Sequence, residues 1–544
     1  MGTPASAAAA ASAAVRAAGA GSGPAPQLSA EDAASLRTAL REWTVDAVRA
    51  VVGERAALAL DREQVVPALR AARAAGRERT AVLTRLFSLG DQVSASDAAA
   101  ALGPLSVERA VQAGLVEESA GEVRGRVDIR PYATQVGGAP VTWWIASDLG
   151  ESSTGAALRE DHVLGVGGAS LTLASLTMRR PVGRVLDLGT GCGIQALHAA
   201  GHARQVVGTD VSHRALGFAR MNALVNEGLL GGEAGAGGGP GIGGAGATVE
   251  WRHGSMLEPV AGEAFDLVVS NPPFVITPPG APHFEYRHAG RGGDSVVAGL
   301  VRSVGTVLAP GGVAQMLGNW EIRRGQSWEA RLEEWLDSAE VPVDAWVVQR
   351  DSLDAAQYAE TWLRDAGVTP ERGRDRYEAA YEAYLADFDA RGVEAVGMGV
   401  VVLRRPQGGA PWRRFEELAG PMQEPLGEHV AQVLDAQRWL ASASDADVLA
   451  QVLRAAPDVT RETYGRVLQA EPEHILLRQG GGYGRAVKAD TALAGLVGTC
   501  DGELSVGQIA GALAALLDVP VDTMIAGMVP AVRELILDGL LLRA

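Results

Sequence analysis

The chain has 544 residues, 47% of them hydrophobic, which exceeds what one hydrophobic core usually holds and predicts several domains. A formal net charge of −17 disfavours broad, non-specific binding of nucleic acid, although it leaves room for a local basic face. The cysteines, Cys192 and Cys500, are too few for a disulfide scaffold or a cysteine zinc site and suit a reducing cytosol, so we expect a cytoplasmic protein. The histidines show no ligand spacing, so we expect no metal, and no segment has the length and apolarity of a membrane span.

The first two regions along the chain are a tail and a helical domain. Residues 1–28 are rich in alanine and glycine, a composition that predicts disorder. Residues 29–140 are predicted to form a mainly helical domain, with helices at 29–53, 64–75, 78–87, 94–102 and 106–113 and a β-ribbon at 123–129. Two helices followed by a ribbon are typical of a winged helix, which binds nucleic acid in some proteins and packs against protein in others.

Residues 141–406 are predicted to form an α/β domain with a Rossmann-like sheet, because short apolar runs alternate with helical segments. A strand at 141–145 and a glycine-containing turn into a helix at 162–174 come first. The strands that follow are predicted at 184–188, 205–209, 248–251, 265–270 and 313–317, with helices at 194–200, 212–225 and 294–308. This alternation indicates a parallel sheet with helices on both faces.

Two segments interrupt this domain, and one more region follows it. Residues 228–246 are almost all glycine and alanine and predict a flexible loop. Residues 351–392 predict a charged helical insertion between strands at 343–349 and 395–403, placed either beside the active-site edge or against the N-terminal domain. Residues 415–544 are predicted to be mainly helical, and their last part, which ends in a short strand at 540–543, resembles a second winged helix.

The stretch from residue 185 to residue 193 reads VLDLGTGCG, an apolar strand that runs into a glycine-rich loop. Glycines are needed where the backbone turns sharply and a ligand passes close to it, as at Gly189, Gly191 and Gly193 around Thr190. The spacing differs from the dinucleotide pattern G-x-G-x-x-G, whose last glycine would fall one residue later, at a bulky isoleucine. The loop therefore argues against NAD.

Polar residues follow three of the predicted strands. Asp210, with Val211 after it, ends the second strand, where a carboxylate can accept hydrogen bonds from both ribose hydroxyls of an adenosine. Asp187 can reach the charged amino group of a methionine moiety, directly or through water. Ser255 and Met256 follow the third strand, where the adenine edge is expected. Together these residues predict binding of S-adenosyl-L-methionine; a tight turn with a solvated aspartate is the alternative.

The tetrad Asn271-Pro272-Pro273-Phe274 comes directly after the fourth predicted strand. On this tetrad, residues 187–193 and Asp210, the segment 148–405 resembles the methyltransferase-small-domain group of class I methyltransferases. That group includes release-factor glutamine methyltransferases and ribosomal RNA guanine-N2 and adenine-N6 methyltransferases. The resemblance implies a class I fold, S-adenosylmethionine as cofactor and methylation of a planar nitrogen. The flanking regions look like outer domains of a bacterial branch of the group, and no substrate can be transferred from them.

The chemistry of a planar nitrogen explains the tetrad. An amide or exocyclic amino nitrogen has a delocalised lone pair and is a poor nucleophile. The side-chain oxygen of Asn271 and the carbonyl of Pro272 can each accept one N–H bond, which favours a tetrahedral nitrogen facing the methyl donor. Phe274 can stack on the planar group, and the paired prolines, Pro272 and Pro273, hold the carbonyls in an extended geometry. The alternative is that Asn-Pro-Pro only forms a turn.

Two further places are candidates for contact with the acceptor. A polar loop with Arg287 and His288 either closes over the substrate or forms a solvated surface. Asn319 and Trp320 follow the fifth predicted strand, at the edge where ligands bind in open α/β sheets. Cys192 is interpreted as a small loop residue rather than a nucleophile.

Three functions remain in competition. The leading one is N-methylation of a nucleic-acid base, in ribosomal RNA, transfer RNA or DNA, or of a protein glutamine. The winged-helix-like flanks suit the nucleic acid, whereas the acidic charge suits the protein. The second is a non-catalytic winged-helix regulator that binds S-adenosylmethionine, although such a regulator has no need of the tetrad. The third is methylation of a small molecule, and none of the three requires a membrane or a metal.

Overall fold

The computed structural model describes residues 24–62, 64–154, 158–229, 247–279, 292–420, 422–468 and 472–544. The chain divides into two compact units, the first comprising Met1–Leu173 and Pro181–Glu416 and the second Ala174–Arg180 and Glu417–Ala544. Residues 1–23 of the predicted tail and residues 230–246 of the predicted glycine-rich loop lie outside the described residues. None of the helices in the described part combines the length and apolarity that crossing a membrane requires.

Short helices form most of the N-terminal part of the first unit. They are α1 (Ala30–Leu40), α2 (Val45–Val52), α3 (Glu54–Leu60), α4 (Val66–Ala74), α5 (Arg79–Leu83), α6 (Ala95–Leu102) and α7 (Val107–Gln112). The helix predicted at 29–53 is divided, because the Thr44 hydroxyl caps a new helix by accepting a hydrogen bond from the Ala47 N–H at 3.1 Å. Gly53, with a φ of 79°, then ends α2.

Three short strands complete a winged helix in this region. β1 (Gln92–Ser94), β2 (Val116–Ser119) and β3 (Glu122–Gly125) pair antiparallel in the order β1-β3-β2. Together with α5, α6 and α7 they follow the chain order of a winged helix, in which β2 and β3 form the wing. A buried core that includes Trp43, Phe87 and Val123 holds these elements together.

A long hairpin connects the winged helix with the rest of the first unit. β4 (Asp128–Val136) and β5 (Ala139–Ser147) pair antiparallel, so the expected domain boundary at residue 140 falls inside the hairpin. The side-chain amides of Asn222 and Asn226 hydrogen-bond the backbone N–H and C=O groups of Ala146 and Trp144 at 2.8 to 3.0 Å. These two side chains satisfy backbone groups of β5 as a neighbouring strand would.

Eight strands of the described residues form the central sheet of the first unit. They are β6 (Val182–Leu188), β7 (Ala203–Asp210), β8 (Thr248–His253), β9 (Phe265–Ser270), β10 (Leu308–Arg323), β11 (Asp344–Asp354), β12 (Val393–Arg404) and β13 (Arg413–Glu417). The helices between β5 and β11 are α8 (Glu151–Thr154), α9 (Gly168–Leu176), α10 (Ile194–Ala200), α11 (His213–Val225), α12 (Ser295–Ser303) and α13 (Trp328–Asp337). Alternation of strands and helices around this sheet confirms the predicted Rossmann-like α/β class.

The order of strands across the sheet is β13-β11-β12-β10-β9-β6-β7-β8. The five strands from β10 to β8 in this order run parallel, as predicted. β12 is antiparallel to both β10 and β11, so the prediction of a fully parallel sheet is wrong on this side. The sequence does not reveal this difference, because a buried apolar strand has the same residue pattern in either direction.

The predicted insertion consists of α14 (Ala355–Asp365) and α15 (Arg374–Arg391). Their apolar sides pack around Tyr358 and Phe388, and Ile276 belongs to the same core. The insertion therefore lies beside the segment that follows β9, which decides between the two positions that the sequence left open. The sheet also extends past the expected limit at residue 406, because its edge strand β13 lies beyond that limit.

The second unit combines helices with two small sheets. Its helices are α16 (Gly427–Leu440), α17 (Asp445–Ala450), α18 (Thr491–Thr499), α19 (Val506–Leu516) and α20 (Val521–Leu537). Its strands are β14 (Val452–Ala455), β15 (Val459–Tyr464), β16 (His474–Gln479), β17 (Ala486–Ala489), β18 (Asp501–Ser505) and β19 (Leu541–Arg543). The sheet orders are β18-β14-β19 and β15-β16-β17. The elements from α18 to β19 follow a winged-helix order, except that the middle strand, β14, precedes them in the chain.

Candidate functional site

The carboxyl ends of the parallel strands bring the predicted motifs to one edge of the central sheet. β6 lies between β9 and β7, and the chain changes direction across the sheet between β6 and β9. The Ser270 hydroxyl, at the end of β9, donates a hydrogen bond to the carbonyl oxygen of Leu188, at the end of β6, over 2.8 Å. Ligands bind at such a switch point in open α/β sheets, since the loops leave in opposite directions there.

The glycine-rich loop needs glycine because of its backbone angles. Gly189, Gly191 and Gly193 have φ values of 72°, 54° and 88°, in the left-handed region. An added Cβ at Gly193 would also lie 3.1 Å from Ala219 of α11. The end of the loop at Gly193 thus packs against α11 and the sheet. No atom lies within 4 Å of an added Cβ at Gly189 or Gly191, so there is open space beside these two glycines.

Asp187, at the end of β6, is buried beneath this loop with 1% of its surface exposed. Its Oδ2 atom accepts hydrogen bonds from the Thr190 hydroxyl and from the Ala196 N–H, the latter at 2.9 Å. Burial raises the pKa of the Asp187 carboxyl to about 7, because few neutral donors replace the water that would stabilise its charge. The carboxylate therefore ties the glycine loop to the start of α10.

Asp210, at the end of β7, is fixed by two backbone donors. Its Oδ2 accepts a hydrogen bond from the Gly191 N–H and its Oδ1 accepts one from the Ser212 N–H, both at 2.9 Å. The backbone carbonyl of Asp210 accepts a further bond from the Gly254 N–H at 3.0 Å. The ends of three strands are thereby held in one arrangement around this carboxylate.

A cavity of about 660 Å³ opens at this edge and collects nearly all of the predicted site residues. Those that line it are Asp187, Gly189, Thr190, Gly191, Asp210, Val211, Ser255, Met256, Asn271, Pro272, Pro273 and Phe274. Gly193 is not among the lining residues. The volume lies within the range of about 300–1,000 Å³ that is usual for small-molecule sites.

Asn271 presents an unsatisfied oxygen to this cavity. Its Oδ1 atom is buried and has no hydrogen-bond partner among the residues that the structure describes. Three other buried polar atoms on the cavity wall share this property within the described chain: Gln195 Oε1, Thr209 Oγ1 and Ser295 Oγ. An unpaired buried polar atom costs about 1–3 kcal/mol, so four of them around one cavity point to a polar ligand.

The insertion supplies part of the cavity that the sequence did not assign. Trp362 and Asp365 of α14 line the cavity. Tyr358, one turn earlier, accepts a hydrogen bond from the Ile276 N–H at 2.9 Å and bonds the Asn319 amide nitrogen at 3.0 Å through its hydroxyl. Burial raises the pKa of this phenol, which therefore stays neutral. The phenol fixes α14 to the segment that follows the Asn-Pro-Pro-Phe tetrad.

A second wall was also not assigned from the sequence. Residues between His162 and Ser170, a segment that ends in the first turn of α9, line the cavity. Asp148 forms a buried ion pair with Arg214 and accepts a hydrogen bond from the Val163 N–H at 3.0 Å. This ion pair and the hydrogen bond of Asp148 together fix the segment to α11. In the sequence, the glycine-containing turn was the one feature that pointed to this segment.

The structure corrects the prediction that Asn319 or Trp320 lines the substrate pocket. Neither lines the cavity; they are 2% and 0% exposed. Asn319 bonds Tyr358, and the Trp320 indole N–H donates to Gln349 at 2.9 Å. Only the Asn319 side chain lies under the insertion; Trp320 faces the other side of the sheet, where its ring stacks on Trp328 of α13. β10 is longer than predicted and continues to Arg323, so both residues lie inside the strand and not at its end.

Two other predictions, for Cys192 and for the polar loop, have different outcomes. Cys192 lines the cavity but is 4% exposed, and burial raises the pKa of its thiol to about 12, so it is a loop residue rather than a nucleophile. The polar loop with Arg287 and His288 lies outside the described residues. The described residues contain no cluster of side chains that could hold a metal ion.

Family models match two flanking regions of the chain. Residues 41–126 match Domain of unknown function (DUF7059), and residues 431–543 match Domain of unknown function (DUF7782). The first match covers the α2–β3 region with its winged helix, and the second covers most of the second unit. Neither description carries an activity.

Curated relatives match the central part of the chain. A release factor glutamine methyltransferase from Deinococcus radiodurans is 36% identical over 139 residues, which are 24% of this chain and 43% of that protein. A ribosomal RNA small subunit methyltransferase C from Alcanivorax borkumensis is 30% identical over 157 residues, which are 29% of this chain and 36% of that protein. The chain thus spans less than half of the length of these relatives.

Solved structures with a similar fold include a T. thermophilus 16S rRNA N2 methyltransferase in complex with AdoMet and guanosine. It is 18% identical, covers 51% of this chain and 66% of its own, and has a TM-score of 0.24. Among the curated proteins, the relatives are methyltransferases of the kinds that the sequence motifs predicted, so the predicted resemblance is confirmed. These curated relatives agree with the expected class of enzyme, a methyltransferase that uses S-adenosylmethionine.

Proposed function

We propose that this chain is an S-adenosylmethionine-dependent methyltransferase that acts on a planar amide or amino nitrogen. The cavity at the carboxyl edge of the sheet supports this proposal, because it combines a carboxylate for a ribose with a second, buried carboxylate for an ammonium group. Asp210 would bind the ribose hydroxyls, and Asp187 would bind the methionine amino group. Val211, Ser255 and Met256 are the candidates for contact with the adenine.

When bound, S-adenosylmethionine supplies an electrophilic methyl group on a positively charged sulfur. The residues of the tetrad would orient the acceptor nitrogen towards it. Asn271 Oδ1 and the Pro272 carbonyl would each accept one N–H bond, which leaves the nitrogen lone pair directed at the methyl group. Phe274 would stack on the planar group that carries the nitrogen. No strong base is needed, since the extra proton can leave once the methyl group has been transferred.

The observation that carries this proposal is the unpaired Oδ1 atom of Asn271. It is a buried acceptor on the wall of the cavity, without a partner among the described residues. A turn that Asn-Pro-Pro formed for structural reasons would use the asparagine oxygen inside the turn. An acceptor that is buried and unused is expected where a donor arrives with the substrate.

Of the two acceptor classes, the charges near the site favour a protein glutamine over a nucleic-acid base. The described residues that line the cavity include Asp187, Asp210 and Asp365 but no lysine or arginine. Phosphate contacts normally dominate the affinity of nucleic-acid-binding proteins and depend on such cations. Asp187 and Asp210 are assigned to the cofactor, which leaves the Asp365 carboxylate, whose charge would repel a phosphate.

The winged helix of the first unit points the same way. The exposed face of α7, which would enter a DNA groove, carries Glu108 and Gln112. Its arginine, Arg109, forms an ion pair with Asp32 at 2.8 Å. Exposed glutamates, Glu118 and Glu122, flank the turn of the wing, and Arg124 on the same hairpin is only partly exposed. A surface of this charge suits contact with protein better than contact with phosphate.

Transfer of labelled methyl groups from S-adenosylmethionine to a cell extract tests the proposal. The extract is digested with nuclease or with protease after the reaction, and the wild type is compared with Asn271→Ala. Label that depends on Asn271 and is released by protease alone supports a protein acceptor. Release by nuclease alone would contradict the protein acceptor but not the methyltransferase. Label that stays soluble after both macromolecules are precipitated would indicate a small-molecule acceptor. Absence of any Asn271-dependent label, with cofactor still bound, would favour the regulator.

A further inference from the structure

Gln195, the second residue of α10, lines the cavity and has an unused side-chain oxygen. Its side chain is 5% exposed and lines the cavity. The Nε2 atom donates a hydrogen bond to the carbonyl oxygen of Ser170, 2.8 Å away. Because a carbonyl can only accept, the amide nitrogen must face Ser170, and Oε1 occupies the other branch. That Oε1 atom is buried and has no hydrogen-bond partner in the described part of the chain.

The carboxylate of Asp187 lies at the same end of α10. The N–H of Ala196, the next residue after Gln195, donates to its Oδ2 at 2.9 Å. The partners of this carboxylate among the described residues, Ala196 and the Thr190 hydroxyl, are both neutral. A buried carboxylate normally has a cation beside it, yet no lysine or arginine of the described chain lines this cavity. Gln195 of α10 and Asp187 of β6 thus supply oxygen acceptors to one cavity, and no lysine or arginine among the described residues lines it.

We propose that Gln195 binds the amino group of the methionine moiety of S-adenosylmethionine, with its Oε1 and the Asp187 carboxylate accepting bonds from the same ammonium. This assignment rests on the proposed function, since it gives the cofactor a further partner in that site. An ammonium has three donors and no acceptor, so oxygen acceptors from two residues on the wall of one cavity fit it. A ligand carboxylate would be repelled by both oxygens, and the ribose hydroxyls are expected at Asp210, on a different strand.

The test compares two ligands by calorimetry on the full chain. S-adenosylhomocysteine carries the amino-acid moiety, and 5′-methylthioadenosine lacks it. Gln195→Met removes the acceptor at similar volume, and Gln195→Glu keeps an acceptor oxygen but loses the donor to Ser170. Gln349→Leu is the matched control, because Gln349 is also a buried, hydrogen-bonded glutamine but does not line the cavity.

We expect Gln195→Met to weaken S-adenosylhomocysteine about tenfold or more, as loss of a hydrogen bond to a charged group does, and to leave 5′-methylthioadenosine within about twofold. Gln195→Glu should retain more of the S-adenosylhomocysteine affinity than Gln195→Met. Gln349→Leu should change neither ligand's affinity, whatever it does to the melting temperature. If Gln195→Met does not fold, the comparison of Gln195→Glu with the wild type still decides, because an ammonium partner tolerates the glutamate and a carboxylate partner does not.

Three results would overturn the inference. Equal weakening of both ligands in Gln195→Met would show that the residue acts through its bond to Ser170 and not through the amino group. Unchanged affinity of Gln195→Met for both ligands would show that Gln195 does not contact the cofactor. A wild type that binds 5′-methylthioadenosine as tightly as S-adenosylhomocysteine would show that the amino-acid moiety has no binding partner in this site. A wild type that binds neither ligand would instead contradict the proposed function itself.

Discussion

The N–H of Ile276 donates a hydrogen bond to the phenol oxygen of Tyr358, with 2.9 Å between the two heavy atoms. Ile276 follows the Asn-Pro-Pro-Phe tetrad, and Tyr358 lies in the first helix of the insertion. The bond therefore joins the proposed acceptor-binding residues to the insertion between β11 and β12, which is not part of the sheet. It makes the insertion part of the site, since Trp362 and Asp365 lie on the same helix and line the same cavity.

Tyr358→Phe is expected to lower stability by about 1–3 kcal/mol, because the Ile276 N–H and the Asn319 amide lose a buried partner. It should also raise the KM for the acceptor while leaving the affinity for S-adenosylhomocysteine unchanged. Thermal unfolding measures the stability, steady-state kinetics measure the KM, and calorimetry measures the affinity for S-adenosylhomocysteine. Tyr464→Phe, which removes an exposed phenol in the second unit, is the control and should do neither. A Tyr358→Phe protein with wild-type stability would contradict the structural role of the phenol.

Asn271→Ala is expected to lower kcat by about 10²- to 10³-fold with little change in cofactor affinity, since its oxygen is used as the acceptor nitrogen becomes tetrahedral. Asn271→Asp should keep part of the activity, because a carboxylate oxygen can still accept the hydrogen bond. Phe274→Ala should instead raise the KM for the acceptor through lost stacking. Steady-state kinetics with the acceptor found in the extract check all three. Near-normal turnover in Asn271→Ala would rule out the planar-nitrogen mechanism.

Asp210→Ala is expected to weaken S-adenosylhomocysteine by about tenfold or more, because both ribose hydroxyls would lose a charged acceptor. Asp266→Ala provides a matched control on the same sheet. Its carboxylate also accepts two backbone N–H bonds, from Gly183 and Arg184 at 2.9 and 2.8 Å, but these residues lie at the opposite ends of the strands. Calorimetry should show normal affinity in this control, and a similar loss in both variants would mean that Asp210 acts only by holding the loop.

The raised pKa of Asp187 predicts pH-dependent cofactor binding. In the free protein the carboxyl is protonated below about pH 7, because burial raises its pKa to about 7 from its ordinary value of 3.8. An ammonium ligand favours the ionised form, so binding below that pH releases a proton. Affinity for S-adenosylhomocysteine should then rise about tenfold per pH unit up to about pH 7 and level off above it.

Calorimetry in buffers of different ionisation enthalpy measures the released proton directly, and Asp187→Asn should abolish the release. The same shift acts on the free protein's stability in the opposite sense. A carboxyl with a raised folded-state pKa contributes its stabilisation fully below the unfolded value near 3.8 and loses it as the pH rises through about 7. Binding that is independent of pH between 5 and 8 would show that no cation pairs with Asp187.

The sheet and the cofactor loop were predictable because their signals are local. β9 has the bounds that the sequence predicts, Phe265–Ser270, since a buried apolar run is followed at once by the prolines of the tetrad. The positions of Asp187 and Asp210 follow equally from strand ends and glycine spacing. Such features depend on residues that are neighbours in the chain.

The antiparallel strand β12, the wall formed by α14 and the role of Gln195 were not predictable in this way. β12 pairs with β10 although the insertion separates the two strands in the sequence, and the residue pattern of a buried strand does not show the direction in which it runs. Trp362 and Gln195 look like ordinary residues of amphipathic or buried helices until the fold brings them to the cavity. Asn319 shows the reverse case, in which a residue at the correct end of a strand is covered by an element from elsewhere.

The hydrogen bonds of Asn222 limit where the chain can be truncated without loss of structure. The same side-chain amide that bonds Ala146 of β5 also donates to the carbonyl oxygen of Cys192 in the cofactor loop, at 2.8 Å. Excising the segment before Asp148 would strip a strand from this amide and from Asn226, and it would expose Phe218 and Met221 of α11, which share a core with that segment. The catalytic sheet and its N-terminal companion therefore have to be inherited, exchanged or engineered together, as one indivisible piece.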